Sequence, residues 1–180
     1  MRLFIAIKLP RNIVEVLIKL QAFIINEADI DVRLVDPQNF HITLAFLGDC
    51  NQEQLQQIKV ALQAIEQQSF TLCLDSCGVF PNFKHPRILW VSLLSTAAQE
   101  FVLKIQHAVL PIMALDERDF KAHVTLARIK MVRDAVTFKD LIEKVGVPKE
   151  CFKVVNFVLF ESHRTEKGSL YKALETYNLV

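Results

Sequence analysis

Two histidines decide what chemistry this sequence can do. The stretch Phe40-His41-Ile42-Thr43-Leu44-Ala45-Phe46-Leu47-Gly48 returns downstream as Ala122-His123-Val124-Thr125-Leu126-Ala127-Arg128-Ile129-Lys130. In each copy a histidine and a threonine stand two positions apart in an apolar, β-rich run. On a strand both side chains leave one face, while Ile42, Leu44, Val124 and Leu126 leave the other. At about 3.3 Å per residue the pair is roughly 6.6 Å apart, a span that can grip one phosphate from two sides. Two such strands facing each other make a four-pronged site. Histidine alone has an ordinary pKa near 6.5. A neutral imidazole can therefore take a proton from water while a protonated one supplies the leaving alkoxide, each contribution being worth about 10²- to 10⁴-fold. The hydroxyls of Thr43 and Thr125 would donate hydrogen bonds to the non-bridging oxygens as charge builds. The scheme asks for no covalent intermediate, no cofactor and no metal, and each motif offers one imidazole without an adjacent carboxylate ligand.

Each residue also has a plainer reading. An isolated His-x-Thr is ordinarily a buried histidine satisfied by backbone, and the threonines are ordinary strand residues. Repetition of the motif in one element context reverses that for His41, His123, Thr43 and Thr125. Arg128 is five positions from His123, so strict alternation puts it on the opposite face, and only a bulge or a strong twist brings it to the phosphate. Phe46 holds the matching position in the first copy. Its parity with Ile42 and Leu44 points it into the core, the alternative being a platform on which a terminal base stacks.

The elements that must position these residues also repeat. Residues 2–9 read as a strand, and 12–26 as a helix with Ile13, Val16, Leu17, Leu20 and Ile24 on one stripe. A short extended piece at 32–35 and the Asp36-Pro37 turn lead into the first motif strand, which ends at Gly48-Asp49. A helix over 51–68, a strand over 70–80 and the proline-flanked loop 81–86 follow. The order then starts again: strand 88–94, helix 96–112, loop, motif strand from 122, helical segment 134–145 and strand 152–160. His123 lies 82 positions after His41, and Phe152 lies 82 after Phe70. Self-similarity at a fixed period indicates internal duplication. A last strand is expected over 170–177, after a turn at Lys167-Gly168. The expected fold is α+β: one bilobal domain over 1–180, with repeat halves at about 2–80 and 87–160. Antiparallel sheets would line a central cleft, with helices outside. A doubly wound parallel sheet is disfavoured because the chain has only four glycines and no glycine-rich strand-to-helix turn.

Composition narrows the partners. With 180 residues, 52% hydrophobic and 23% charged, the chain can bury a sizeable core, and a net charge of +1 leaves any pull on an anion to local groups. No apolar run reaches the roughly 18 residues of a membrane span and no signal-peptide pattern opens the chain, so a soluble, cytoplasmic protein without a membrane partner is expected. Nothing points to an obligate protein partner, and a monomer is expected. The scattered Cys50, Cys73, Cys77 and Cys151 lack paired metal-site spacing and read as reduced, mostly buried thiols. Lys84, Arg87, Lys121, Lys130 and Arg133 could rim a nucleic-acid path. His85, His107 and His163 receive no role.

These motifs make the chain resemble the two-histidine phosphoesterases, and within them the RNA 2',3'-cyclic phosphodiesterases formerly called 2'-5' RNA ligases. The resemblance extends to Arg2-Leu3-Phe4-Ile5-Ala6-Ile7, Asp36-Pro37-Gln38-Asn39-Phe40, Gly78-Val79-Phe80-Pro81, Pro86-Arg87-Ile88-Leu89-Trp90 and Glu161-Ser162 with Gly168 and Tyr171. It implies a bilobal fold and hydrolysis of RNA ends or nucleotides carrying a 2',3'-cyclic phosphate to a 2'-phosphate. It further implies His41 as proton donor, His123 as acceptor and Arg128 on the phosphate. Action on 2'-5' linkages, or idle binding of phosphorylated RNA ends, are the competing expectations.

Overall fold

The computed structural model describes residues 1–115, 119–166 and 168–180, so the expected turn at Lys167 lies outside the described residues. In chain order the elements are β1 (Arg2–Lys8), α1 (Arg11–Glu27), β2 (Ile30–Leu34), β3 (His41–Asp49), α2 (Gln52–Gln63), β4 (Phe70–Phe80), β5 (Ile88–Leu94), α3 (Thr96–Val109), β6 (His123–Val132), α4 (Ala135–Lys144), β7 (Cys151–Val154), β8 (Asn156–Thr165) and β9 (Gly168–Asn178). The protein is α+β, and every strand pairing among the described residues is antiparallel.

Local chemistry sets the helix ends. Asn51 and Gln54 form a reciprocal capping box that starts α2, the Ser95 hydroxyl caps α3 and the Asp134 carboxylate caps α4. Helices α2 and α3 stop short of the expected residues 68 and 112. The glutamine-rich residues after Gln63 supply no further apolar turn, and Pro111 cannot donate to a continuing helix. Each helix buries one stripe; on α1 this is Ile13, Leu17, Leu20 and Ile24, with the polar Gln21 among them. At about 1.5–3 kcal/mol per large apolar side chain, these stripes hold the helices on the sheet.

The strands run in the order β7-β4-β5-β6-β3-β1-β8-β9, with β2 added to β6. The expected sheets are thus joined into one, at a single bridge between Ile42 of β3 and Val124 of β6. Those two residues are themselves 82 positions apart. The expected strand 152–160 is corrected: it is two strands, because Val155 interrupts a run whose first part pairs with β4 and whose second pairs with β1. That run links β7, at one end of the strand order, directly to β8, next to the other end, which curls the sheet. Strand β1 is buried on both faces. Leu3, Ile5 and Ile7 enter the main core beneath the helices, while Phe4 and Ala6 form a second apolar cluster with Val158 and Phe160 on the concave face.

One cysteine expectation is also corrected. Cys73 and Cys151 are register partners on β4 and β7 and are joined by a disulfide, while Cys50 and Cys77 are free. Spacing along the chain could not show this, because the pairing is created by two strands 78 residues apart. Linking residues so far apart restricts the unfolded chain and typically stabilises a fold by about 2–4 kcal/mol. Cys73→Ser should therefore melt at a lower temperature than the oxidised protein, and reductant should bring the parent down to the same value. Identical melting with and without reductant would show that the bridge adds nothing.

Candidate active site

The Asp36 carboxylate accepts from the Gln38 backbone N–H at 2.9 Å and shapes a short turn over Pro37–Asn39. Asn39 is pinned in turn by its side-chain amide, which donates to the Ser169 carbonyl at 3.0 Å. The Asn39 carbonyl lies 2.6 Å from His41 Nδ1. In the second copy the Lys121 carbonyl lies 2.6 Å from His123 Nδ1. A carbonyl only accepts, so in both rings Nδ1 carries the hydrogen and Nε2 is left to exchange protons. His41 Nε2 meets the Thr43 hydroxyl at 3.1 Å, the hydroxyl donating to the neutral ring.

The bridge between Ile42 and Val124 brings the two copies together. Carrying this antiparallel register one place each way sets His41 opposite Thr125 and Thr43 opposite His123. Burial is the main cause holding His41 below the ordinary imidazole pKa; the Asn39 carbonyl opposes it, and the charge of His123 lowers it further. His123 is also lowered, first by burial, against the Lys121 carbonyl and with the Lys121 charge.

Two bulges decide which other side chains reach this face. Opposite β5, Trp90 pairs with Thr125 and Leu89 with Ala127, so Leu126 is skipped. Alternation resets there: Ala127 is buried and Arg128 leaves on the face of His123 and Thr125. The Leu126 carbonyl is not wasted. It accepts from the buried Gln21 amide at 2.8 Å and from the Val35 N–H at 2.9 Å, and the same amide donates to the Val35 carbonyl at 3.1 Å. On β3 the equivalent residue Leu44 is skipped, between partners Thr43 with Ala6 and Ala45 with Ile5. Phe46 consequently opposes Phe4 on the concave face and is 56% exposed, which corrects its expected place in the core.

Aromatic rings form the floor. Between ring centroids, Phe4 and Tyr171 each lie 5.2 Å from His41, Tyr171 nearly perpendicular to it; Phe80 lies 5.0 Å and Trp90 6.4 Å from His123. Trp90 packs on Gly78, where a Cβ would come within 2.3 Å of the indole. No periodicity marks these residues, since they come from four different strands. Of the five expected rim cations, Lys121 belongs to the site, its ammonium 3.9 Å over the Trp90 ring. Lys130 and Arg133 instead pair with Asp31 and Asp29 at 3.4 and 2.8 Å. Among the described residues no group of three or more His, Cys, Asp or Glu could hold a metal ion, and no helix is long and apolar enough to cross a membrane. Two imidazoles whose Nε2 atoms are not taken by backbone, that of His41 meeting only the Thr43 hydroxyl, can with two hydroxyls and a guanidinium on this face transfer two protons around a bound phosphate.

Residues 7–90 match the family described as LigT like Phosphoesterase. Over nearly the full length, the chain is 30% identical to the RNA 2',3'-cyclic phosphodiesterase of Methanocaldococcus jannaschii, covering 98% of this chain and 100% of the relative. It is 31% identical to the protein of the same name from Archaeoglobus fulgidus, covering 98% and 99%. This chain belongs to the LigT-like phosphoesterases. Among solved LigT-like structures, Escherichia coli LigT complexed with 3'-AMP superposes with a TM-score of 0.77 at 28% identity, covering 99% of this chain and 97% of that one. The match to residues 7–90 contains the first LigT-like motif and ends before the second, which the full-length relatives cover.

Proposed function

We propose that this phosphoesterase hydrolyses the 2',3'-cyclic phosphate at RNA ends, or on nucleotides, to a 2'-phosphate, using two histidines and no metal. The observation that carries the reading is the shared Nδ1-to-carbonyl bond of His41 and His123, which keeps both Nε2 atoms clear of the backbone for proton transfer. The curated relatives are named for this activity, and the E. coli neighbour holds a nucleotide. In the scheme His123 takes a proton from water, whose oxygen attacks phosphorus. The bond from phosphorus to O3' breaks, and His41 gives O3' its proton, leaving the phosphate on O2'. The Lys121 charge beside His123 favours its neutral, proton-accepting form. Thr43, Thr125 and Arg128 hold the non-bridging oxygens. Residues 1–180 act as one duplicated, bilobal unit, a monomer working on RNA in the cytoplasm. Incubation of an oligoribonucleotide ending in a 2',3'-cyclic phosphate, in excess EDTA, should yield the 2'-phosphate. A 3'-phosphate product, or loss of turnover with the chelator, would overturn the corresponding part.

The pH profile follows from the directions of the two shifts. Turnover needs one proton shared by the pair, so it fails at low pH when both rings are charged and at high pH when neither is. Both rings are held below 6.5 in the free protein, so kcat/KM should be a bell with its maximum on the acid side of that value. Bound phosphate favours imidazolium, so the bell in kcat should lie at higher pH. A kcat/KM that keeps rising through pH 8 would contradict this.

A further inference from the structure

We infer that the cleft running outward from His41 receives the terminal nucleoside, and that Lys8 meets the phosphodiester preceding it, so that polynucleotide ends are preferred to free cyclic nucleotides. The inference rests on the proposed reaction with His41 as the acid. The leaving oxygen belongs to the ribose, and the acid sits at the leaving oxygen. The sugar and everything attached to it must therefore extend from the phosphate on the His41 side, with water entering from His123.

A cleft of about 480 Å³ lies there, within the roughly 300–1,000 Å³ of small-molecule sites. Its walls include Phe4, Tyr171 and Gln38, which suits a base and sugar. Lys8 is the register partner of His41, so both side chains share the concave face. Its ammonium does not stay at His41 but reaches outward, 5.5 Å over the Phe160 ring, and Phe160 is stacked at 5.1 Å behind Phe4. A cation held on that ring lines the same cleft as His41, on the side where the sugar and the phosphate preceding it must extend. A free cyclic mononucleotide has nothing to offer it. Arg11, also at this rim, is held at 2.9 Å by Glu15 and is not part of the assignment.

The test compares kcat/KM for a short oligoribonucleotide ending in 2',3'-cyclic phosphate with that for a 2',3'-cyclic mononucleotide, in the parent protein, Lys8→Ala, Lys8→Arg and Lys121→Ala. Thermal melting confirms folding of each. The parent should prefer the oligonucleotide. Lys8→Ala should lose roughly 10- to 100-fold more on the oligonucleotide than on the mononucleotide, as expected for removing a charged phosphate contact. Its salt dependence on the oligonucleotide should weaken by about one ion, and Lys8→Arg should restore most of the preference. Equal losses on the two substrates would overturn the inference while leaving the reaction standing. A chain-length-specific loss in Lys121→Ala instead would place the polynucleotide on the other side. A parent inactive on both substrates would remove the reaction itself, and this assignment with it.

Discussion

Replacing His41 or His123 by alanine is expected to lower turnover of a cyclic-phosphate RNA end by about 10²- to 10⁴-fold, the range for loss of one general acid or base. The fold should survive. Both side chains are only partly buried and line the concave face, and the packing beneath them is supplied by Ile42 and Val124, each fully buried. Each substitution does strip a hydrogen-bond donor from a backbone carbonyl, of Asn39 or Lys121. Those carbonyls can turn to water, so the stability cost should stay near the roughly 0.5–1.5 kcal/mol of an ordinary hydrogen bond. Variants that keep their activity but melt far lower would mean that the imidazoles serve the core and not the reaction.

Arg128→Ala should cost about 10²- to 10³-fold in kcat, the usual effect of deleting a preorganised donor to developing negative charge. The stability change should be small, because the side chain is exposed. Lysine at this position should recover only part of the loss, since it brings a point charge without the planar fork that holds two phosphate oxygens. The bulge at Leu126 gives this prediction a second arm. Gln21→Leu removes one of the two donors to the Leu126 carbonyl and loosens the bulge that sets Arg128 on the face of His123. It should lower activity in the parent but add nothing in Arg128→Ala, because the group it positions is already gone. An Arg128→Ala variant with parental kcat would return the arginine to the solvated surface.

Much of this architecture could be read from the chain because it is written in spacing. The repeat of His41-Ile42-Thr43 at His123-Val124-Thr125 fixes which faces meet, and the bridge between Ile42 and Val124 realises it. What spacing conceals is any place where β-alternation breaks. Phe46 reads as core by parity and is exposed by the skipped Leu44; Arg128 reads as opposite to His123 and is set on the same face by the skipped Leu126. In neither copy does the skipped residue differ in type from an ordinary strand leucine, so no local signal marks it. The disulfide between Cys73 and Cys151 and the floor made of Phe4, Phe160 and Tyr171 are concealed for another reason. Their members are brought together by strand order and register, which depend on long-range pairing. The same long-range pairing splits the run 152–160, whose apolar pattern is continuous while its two partners, β4 and β1, are separated by three strands of the sheet.

The central claim is that the two imidazoles act as one unit on one phosphate. Its most direct test is the turnover of a 2',3'-cyclic-phosphate RNA end by His41→Ala, His123→Ala and the double variant, side by side in excess EDTA. Groups that work as a unit are strongly non-additive. The double variant should therefore be little worse than either single one. A double variant whose loss equals the product of the two single losses would show two independent contributions and contradict the account.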